Sequence, residues 1–383
     1  MRRIGWNLVR WLATGAFAAA GAGTARAQGT LSTQGLGYPP GQLSTRAYGA
    51  GGALGEMDPW SPINPAAVAD FTTKALSFQL DPEFRQVTFD SSTMRTNIAR
   101  YPLLFGALPL GYGVAMSIGS STLIDRSWQT VQTQVDSLGP DTTTAVTRQG
   151  ANGALNDVQL ALGWSDHRWL HLGFGVHGVT GRNVVTSSRE FADTLHLSNY
   201  TQQQVIEFRG SAMSAGIELV APDLGVVAFS YRRGGDLRAF LNDTVVGRAH
   251  VPDRYGASIA YTGLPGATFA LRASHDSWSA LGPLTSAGVQ PQDAWDLSAG
   301  AEIAGPSVWS HSLVLRAGLR DRTLPYTAAD STVRERSATL GGTTLFAAGR
   351  VTLDVAVIRS LRDASLPVSE RAWTLSFALT ARP

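Results

Sequence analysis

Large apolar side chains alternate one by one with small or polar ones through a long series of short segments that runs to the C-terminus. Between Leu313 and Arg320, Leu313, Leu315, Ala317 and Leu319 share one face, while Arg316, Gly318 and Arg320 share the other. A period of two belongs to extended strands and not to helices. The same pattern returns in Trp295, Leu297, Ala299, Ala301 and Ile303 against Asp296, Ser298, Gly300 and Glu302. It returns again in Trp373, Leu375, Phe377 and Leu379 against Thr374, Ser376, Ala378 and Thr380. A chain of this kind forms sheets with one apolar and one polar face, and what covers the apolar face decides the rest.

Charge bears on that question. Only 16% of the residues are charged, against about 25% in an ordinary soluble domain. Beyond the first 27 residues no apolar run approaches the roughly 18 needed for a spanning helix. Those first residues read as a signal peptide: Arg2 and Arg3 precede the apolar stretch from Leu12 to Ala22, and Ala25-Arg26-Ala27 is a small-x-small cleavage site, so cleavage is expected before Gln28. Removal of Arg2, Arg3, Arg10 and Arg26 turns 31 basic residues into 27 against 29 acidic ones, so the overall basicity gives no reason to expect nucleic acid. With no cysteine, an exported chain has neither disulfides nor a Cys-based metal site.

Three regions follow: a signal peptide at 1–27, a Gly-, Ser- and Pro-rich segment at 28–73, and strands from 74 to 383. About fourteen strands are expected, beginning near Ala75, Arg95, Tyr112, Ala151, Trp169, Tyr200, Leu224, Val246, Ala267, Gln292, Trp309, Arg334, Val351 and Arg371. Tight turns such as Pro109-Leu110-Gly111, Ser165-Asp166-His167 and Pro222-Asp223 alternate with longer polar stretches at Gln132 to Gly150, Ser187 to Asn199, Gly234 to Val245, Ser279 to Pro291, Asp321 to Thr332 and Arg362 to Glu370. Short periplasmic turns and long external loops give this rhythm in an outer-membrane barrel. A soluble sandwich also has one apolar face per sheet, but it has no reason to keep that order. Near Gly210 the parity slips: Ile206 and Phe208 are even-numbered, whereas Met213, Ala215, Ile217 and Leu219 are odd, as a one-residue bulge would produce.

Several motifs carry less than their spelling suggests. Gly173-Phe174-Gly175-Val176-His177-Gly178 matches GxGxxG, yet Leu170, Leu172, Phe174 and Val176 continue a strand face through it, with no helix to follow. His171 and His177 stand six residues apart on that strand, about 20 Å at the normal rise, too far to ligate one ion together. No nucleophile elbow, zincin motif or paired catalytic carboxylates stand out, so no catalytic residue, metal or cofactor is expected. Arg209, Arg232, Arg272, Arg316 and Arg320 are expected on the inward face. There they would either meet an anionic ligand group or pair with Glu207, Asp276, Asp296, Glu302 and Asp354 across the wall.

The run Arg46-Ala47-Tyr48-Gly49-Ala50-Gly51-Gly52-Ala53, then Asp58, then Asn64-Pro65-Ala66-Ala67, resembles the N-terminal signature of the FadL/TodX family of outer-membrane transporters for hydrophobic compounds. Further matches follow in order: His250 to Gly256, Asp276-Ser277-Trp278-Ser279, Leu315-Arg316-Ala317-Gly318 and Thr339-Leu340-Gly341. The resemblance implies an all-β, up-and-down antiparallel transmembrane barrel of fourteen strands, with an N-terminal hatch carrying Asn64, Pro65 and Ala66 inside the lumen. From spacing alone those three residues read better as an ordinary Asn-Pro turn leading into the first strand, and the hatch reading rests on the resemblance. The resemblance also implies sideways release of ligand through an interrupted strand, for which Gly119, Ser120 and Ser121 in the third strand are the candidates, because Gly and Ser weaken a ladder.

The expected function is passive uptake of hydrophobic small molecules, fatty acid-like or aromatic, across the outer membrane of a Gram-negative cell. The alternative is a barrel of the same fold acting as a scaffold or shuttle for surface or secreted proteins. Expected partners are the hydrophobic ligand, outer-membrane lipid and, during biogenesis, the barrel-assembly machinery; the chain is expected to be a monomer.

Overall fold

The computed structural model describes residues 37–383, apart from 90–91, 139–140, 193–196, 286–290, 309–310, 329–330 and 365–367. The expected signal peptide and the first residues of the hatch lie outside the described residues. Inside a barrel, Tyr38 to Thr73 forms a plug with little regular structure: α1 (Thr45–Gly49) and two 3-10 turns, Gly55–Met57 and Pro65–Asp70. Ser44 caps α1, its hydroxyl accepting from Ala47 N–H.

The wall comprises β1 (Ala75–Phe89), β2 (Ser92–Gly111), β3 (Val114–Asp125), β4 (Trp128–Leu138), β5 (Asp141–Ser165), β6 (Leu170–Phe191), β7 (Tyr200–Ala221) and β8 (Gly225–Leu241). It continues with β9 (Thr244–His250), β10 (Arg254–Leu264), β11 (Ala267–Asp276), β12 (Ala294–Val308), β13 (His311–Ala328), β14 (Ser331–Phe346), β15 (Val351–Asp363) and β16 (Val368–Ala381). β3 and β4 are two halves of one stave, as are β9 and β10, so sixteen segments make the fourteen staves of a closed antiparallel barrel. β1 pairs with β16, and β8 pairs with β10 across the other junction. Closure pairs the first strand of the barrel with the last, as a lipid-embedded sheet requires.

The alternation in sequence becomes inside and outside. Along β6, Leu172, Phe174 and Val176 are exposed on the outer surface while Gly173, Gly175 and His177 face the lumen. Leu271, Leu319 and Leu340 continue this apolar band. Trp164, Trp169 and Tyr261 stand on the outer surface near the short turns, and Phe84, Tyr255, Trp295 and Trp373 stand nearer the long loops, as in the two aromatic girdles of an outer-membrane barrel. Unboiled protein is expected to migrate faster than boiled protein on gels and to stay β-rich in detergent; a water-soluble monomer would contradict the membrane assignment.

Three stretches expected to be loops are strand: Asp321 to Ala328 continues β13 and Ser331 and Thr332 open β14, and the other two are hairpins. Gln132 to Gly150 lies within a hairpin in which β4 and β5 pair from Trp128↔Ala151 to Leu138↔Asp141. Its run of Thr and Val favours extended backbone although it is polar on both faces. Gly234 to Val245 holds the β8–β9 hairpin, closed by Asn242 and Asp243 at φ 49° and 61°, the left-handed pair that a tight hairpin turn requires. The bulge expected near Gly210 is present, with the β7–β8 register shifting between Gly210 and Ala212.

Candidate functional site

The plug sits on two seats made of glycine. Gly163, Gly173 and Gly216 are cross-strand neighbours on β5, β6 and β7. A Cβ on any of them would come closer than 3.0 Å to the Asn64–Ala69 segment. Gly300 and Gly318, paired on β12 and β13, receive the backbone of Ala50 in the same way. Asn64 holds its own turn: Oδ1 accepts from Ala66 N–H at 3.0 Å, and Nδ2 donates to the Glu56 carbonyl at 2.7 Å. Asn64, Pro65 and Ala66 are therefore buried inside the barrel against the wall.

Above these seats the contact between plug and wall is electrostatic. Glu56, fully buried, accepts from Arg254 Nη2 at 2.6 Å, Arg272 Nε at 3.2 Å and Ser230 Oγ at 2.5 Å. Burial pushes this carboxyl up, but the two guanidinium groups and the serine hydroxyl outweigh it and hold it below the usual range. Gln42 bridges Arg232 Nη1 (2.8 Å), Asp157 (3.1 Å) and Ser121 (2.7 Å). Arg46 reaches Glu302 at 3.2 Å and Asp58 at 3.5 Å. Tyr38 exchanges two 2.8 Å backbone hydrogen bonds with Asp125. Its ring lies 4.6–5.8 Å from the guanidinium carbons of Arg85, Arg100, Arg322 and Arg362, an arrangement that cation–π attraction favours.

Of the five arginines expected either to meet a ligand or to pair across the wall, this ring of charge engages four in pairing. Arg232 is engaged by Gln42 and Asp157, and Arg272 by Glu56 and Asp296. Arg316 is engaged by Glu302, Thr343 and Asp354, and Arg320 by Asp296. The fifth, Arg209, does not face the lumen. The bulge at Gly210 reverses parity, so Phe208 turns inward while Arg209, with its side chain 63% exposed, pairs with Glu207 and stacks on Phe240.

The wall is interrupted beside β3. Gly119, Ser120 and Ser121 themselves are paired on both sides, to β2 and to β5. The β2–β3 ladder ends at Leu103↔Ser121, while β2 runs on to Ser92 paired with β1 alone, and β4 pairs only with β5. From Ser121 to Asp125 alternation is lost and five consecutive residues are buried. Pro102, lacking an N–H, stands next to Leu103, where the ladder on β2 stops, and Thr122/Ile124 marks a register shift toward β5. The end of β3 thus bends into the lumen.

What it meets there is apolar. Leu123 and Ile124 pack in one cluster with Leu155, Val179, Phe208, Leu237 and Val251, roofed by Trp278 and Leu281 of the 3-10 turn Trp278–Leu284. Arg126, just past the bend, stacks over the Phe208 ring at 5.0 Å. It has no carboxylate partner among the described residues. Nothing in its local sequence marks Arg126 out, because its lack of a partner comes from strands distant in the chain.

The architecture is that of a plugged outer-membrane β-barrel, the class in which FadL-type channels fall. The chain is similar in fold to a FadL homologue of Pseudomonas aeruginosa (12% identity, 90% of this chain and 99% of that one, TM-score 0.62). It is similar likewise to the toluene transporter TodX of Pseudomonas putida (13%, 88% and 97%, TM-score 0.57) and to the toluene transporter TbuX of Ralstonia pickettii (14%, 89% and 98%, TM-score 0.56). No protein-family profile and no curated protein sequence matches the chain.

Proposed function

We propose that the protein is a passive channel for hydrophobic small molecules, which enter the apolar cluster from the outer end and leave sideways between β2 and the bent end of β3. The observation that carries this reading is the coincidence of the two features: the ladder stops at Leu103↔Ser121, and the residues that follow, Leu123 and Ile124, belong to the largest apolar cluster among the described residues. Between that cluster and lipid the opening is spanned by the buried ion pair of Arg100 on β2 with Asp125 at the end of β3, 2.6 Å apart, which has to part for a solute to leave. No nucleotide-binding element is needed, since the solute moves down its own gradient. The toluene channels of the same fold support this substrate class.

Arg126 extends the reading to amphipathic acids, since a carboxylate over Phe208 would supply the partner this cation lacks. A charge-assisted hydrogen bond contributes about 1.5–3 kcal/mol, or roughly 10–100-fold in affinity. Arg126→Gln is therefore expected to weaken binding of a long-chain fatty acid by that factor and to leave toluene binding unchanged, measured by equilibrium dialysis of the detergent-solubilised protein. Equal loss for both compounds would contradict a role in charge recognition. Closing the side exit with a Leu103→Cys, Thr122→Cys disulfide is expected to block uptake in cells and to restore it on reduction; uptake unaffected by the crosslink would rule out this exit.

A further inference from the structure

At the short-turn end the plug joins the wall through Asp70, the last residue of the Pro65–Asp70 turn. There it meets His171, at the start of β6, and Glu218, near the end of β7. His171 and Glu218 are cross-strand partners. A single atom, His171 Nδ1, lies 3.3 Å from Asp70 Oδ1 and 3.2 Å from Glu218 Oε2. The three donor atoms all lie within 4.8 Å of one another. That nitrogen carries at most one proton, so it can donate fully to one carboxylate only. Two ionised carboxylates against one imidazole carry a net negative charge even when the ring is protonated. A dication would satisfy all three atoms together.

The spacing suits such an ion. Bonds of about 2.0–2.1 Å to nitrogen and oxygen in a tetrahedral zinc site separate adjacent donors by roughly 3.3 Å, which the two His171 contacts already match. Two of the donors are held by the wall: the Glu218 side chain is 2% exposed and that of His171 14%. Glu218 is further oriented by Asn64 Nδ2, 3.5 Å from Oε1. The third, Asp70, is 40% exposed, so an ion has a way in and a water molecule can take the fourth position, as in open zinc sites. One imidazole with two carboxylates suits a borderline first-row ion, whereas calcium and magnesium take oxygen donors.

We propose that Asp70, His171 and Glu218 form a zinc(II)-class site that clips the end of the plug to the wall. The clip joins one residue of the plug to two adjacent strands, six residues along the chain from Asn64. Occupancy therefore holds the Asn64-Pro65-Ala66 segment on its glycine seat, and removal of the ion loosens it.

The test uses the full mature chain without a polyhistidine tag, stripped with chelator in detergent and dialysed against micromolar zinc chloride. About one zinc per chain is expected by elemental mass spectrometry, and cobalt(II) in its place is expected to give the visible spectrum of a four-coordinate site. His171→Gln and Asp70→Asn are each expected to weaken zinc binding at least ~10–100-fold, the loss seen when only a ligand's hydrogen-bond partner is removed. His171→Cys, which keeps a donor, is expected to retain the ion. Zinc is also expected to slow proteolysis of the plug in the parent chain and not in Asp70→Asn, with the folded barrel of every variant verified by its unboiled gel mobility. Absence of stoichiometric zinc in the parent chain, binding unchanged in both ligand variants, or zinc binding with no protection of the plug would overturn the proposal.

Discussion

Replacing Gly173 with Leu is expected to drive the plug off its seat and raise the conductance of the barrel in planar bilayers. The Cβ alone would overlap the Pro65–Ala66 peptide, which is backbone and cannot rotate aside as a side chain can. Overpacking a filled site costs about 1–3 kcal/mol. At the upper end, a ~3 kcal/mol penalty on the docked state changes the docked-to-undocked ratio roughly a hundredfold. The strand should survive, because Gly173 lies in continuous ladders with both neighbours and Leu is acceptable in extended backbone. Gly178→Leu is the matched control on the same strand, since nothing lies within 4 Å of a Cβ there. Gly178→Leu should conduct like the parent chain; equal conductance for Gly173→Leu and the parent would mean that the seat does not hold the plug.

Glu56→Ala is expected to have an effect of similar size by a different route. The substitution takes from Arg254 its 2.6 Å carboxylate, leaving only Asp276 at 3.9 Å, and takes one of two acidic partners from Arg272. Removing one member of a buried pair costs about 3–5 kcal/mol, mostly through the charge left behind. The free energy falls on docking of the plug and not on the barrel, because Glu56 belongs to the plug and both arginines to the wall. The carboxyl is held below its ordinary value in the docked state. Its contribution is therefore complete above about pH 4.3, the value of a free glutamate, and is lost as pH falls through the lower docked value. Protease sensitivity of the plug at neutral pH should accordingly rise in Glu56→Ala and in Glu56→Gln, whereas the parent chain should show it only in acid. A parent-like digestion pattern in Glu56→Ala would show that the charged ring does not anchor the plug.

Much of the wall was legible because membrane strands obey a period of two and their short connections carry turn residues. Ala75, Tyr200, Ala267 and Val351 each begin a strand in the structure where the alternation begins in the sequence. Even the irregularity at Gly210 announced itself as a change of parity. Its consequence was harder to draw: Arg209 lies beyond the slip, so the inward face counted from the strand below assigns it to the wrong side. The β4–β5 extension was hidden because it is polar on both faces and so shows no alternation; the β8–β9 extension alternates only briefly, with Leu237 and Ala239 inward, although Asn242-Asp243 is a turn signal in its own right.

The site was less legible for a different reason. Inward arginines could be listed from parity, but whether one is free depends on the carboxylate opposite, often more than a hundred residues away, as with Glu56 and Arg254. Parity likewise placed His171 and His177 on one strand face and excluded a joint metal site, while the residues that gather around His171 come from β7 and from the plug. The bend of β3 begins just after Gly119-Ser120-Ser121, yet those residues stay in the ladder. Beyond them the apolar Leu123-Ile124 pair turns inward, beside Pro102 on the neighbouring strand.

The most direct measurement is uptake of radiolabelled oleate and toluene by Gram-negative cells that lack their own channels for hydrophobic compounds and carry this chain assembled in the outer membrane. Entry several-fold faster than in cells with empty vector is expected for at least one of the two, abolished when Leu123 and Ile124 are both replaced by Asp at the apolar mouth. Entry no faster than the vector control, with the folded barrel present at the surface, would contradict a conduit for hydrophobic molecules.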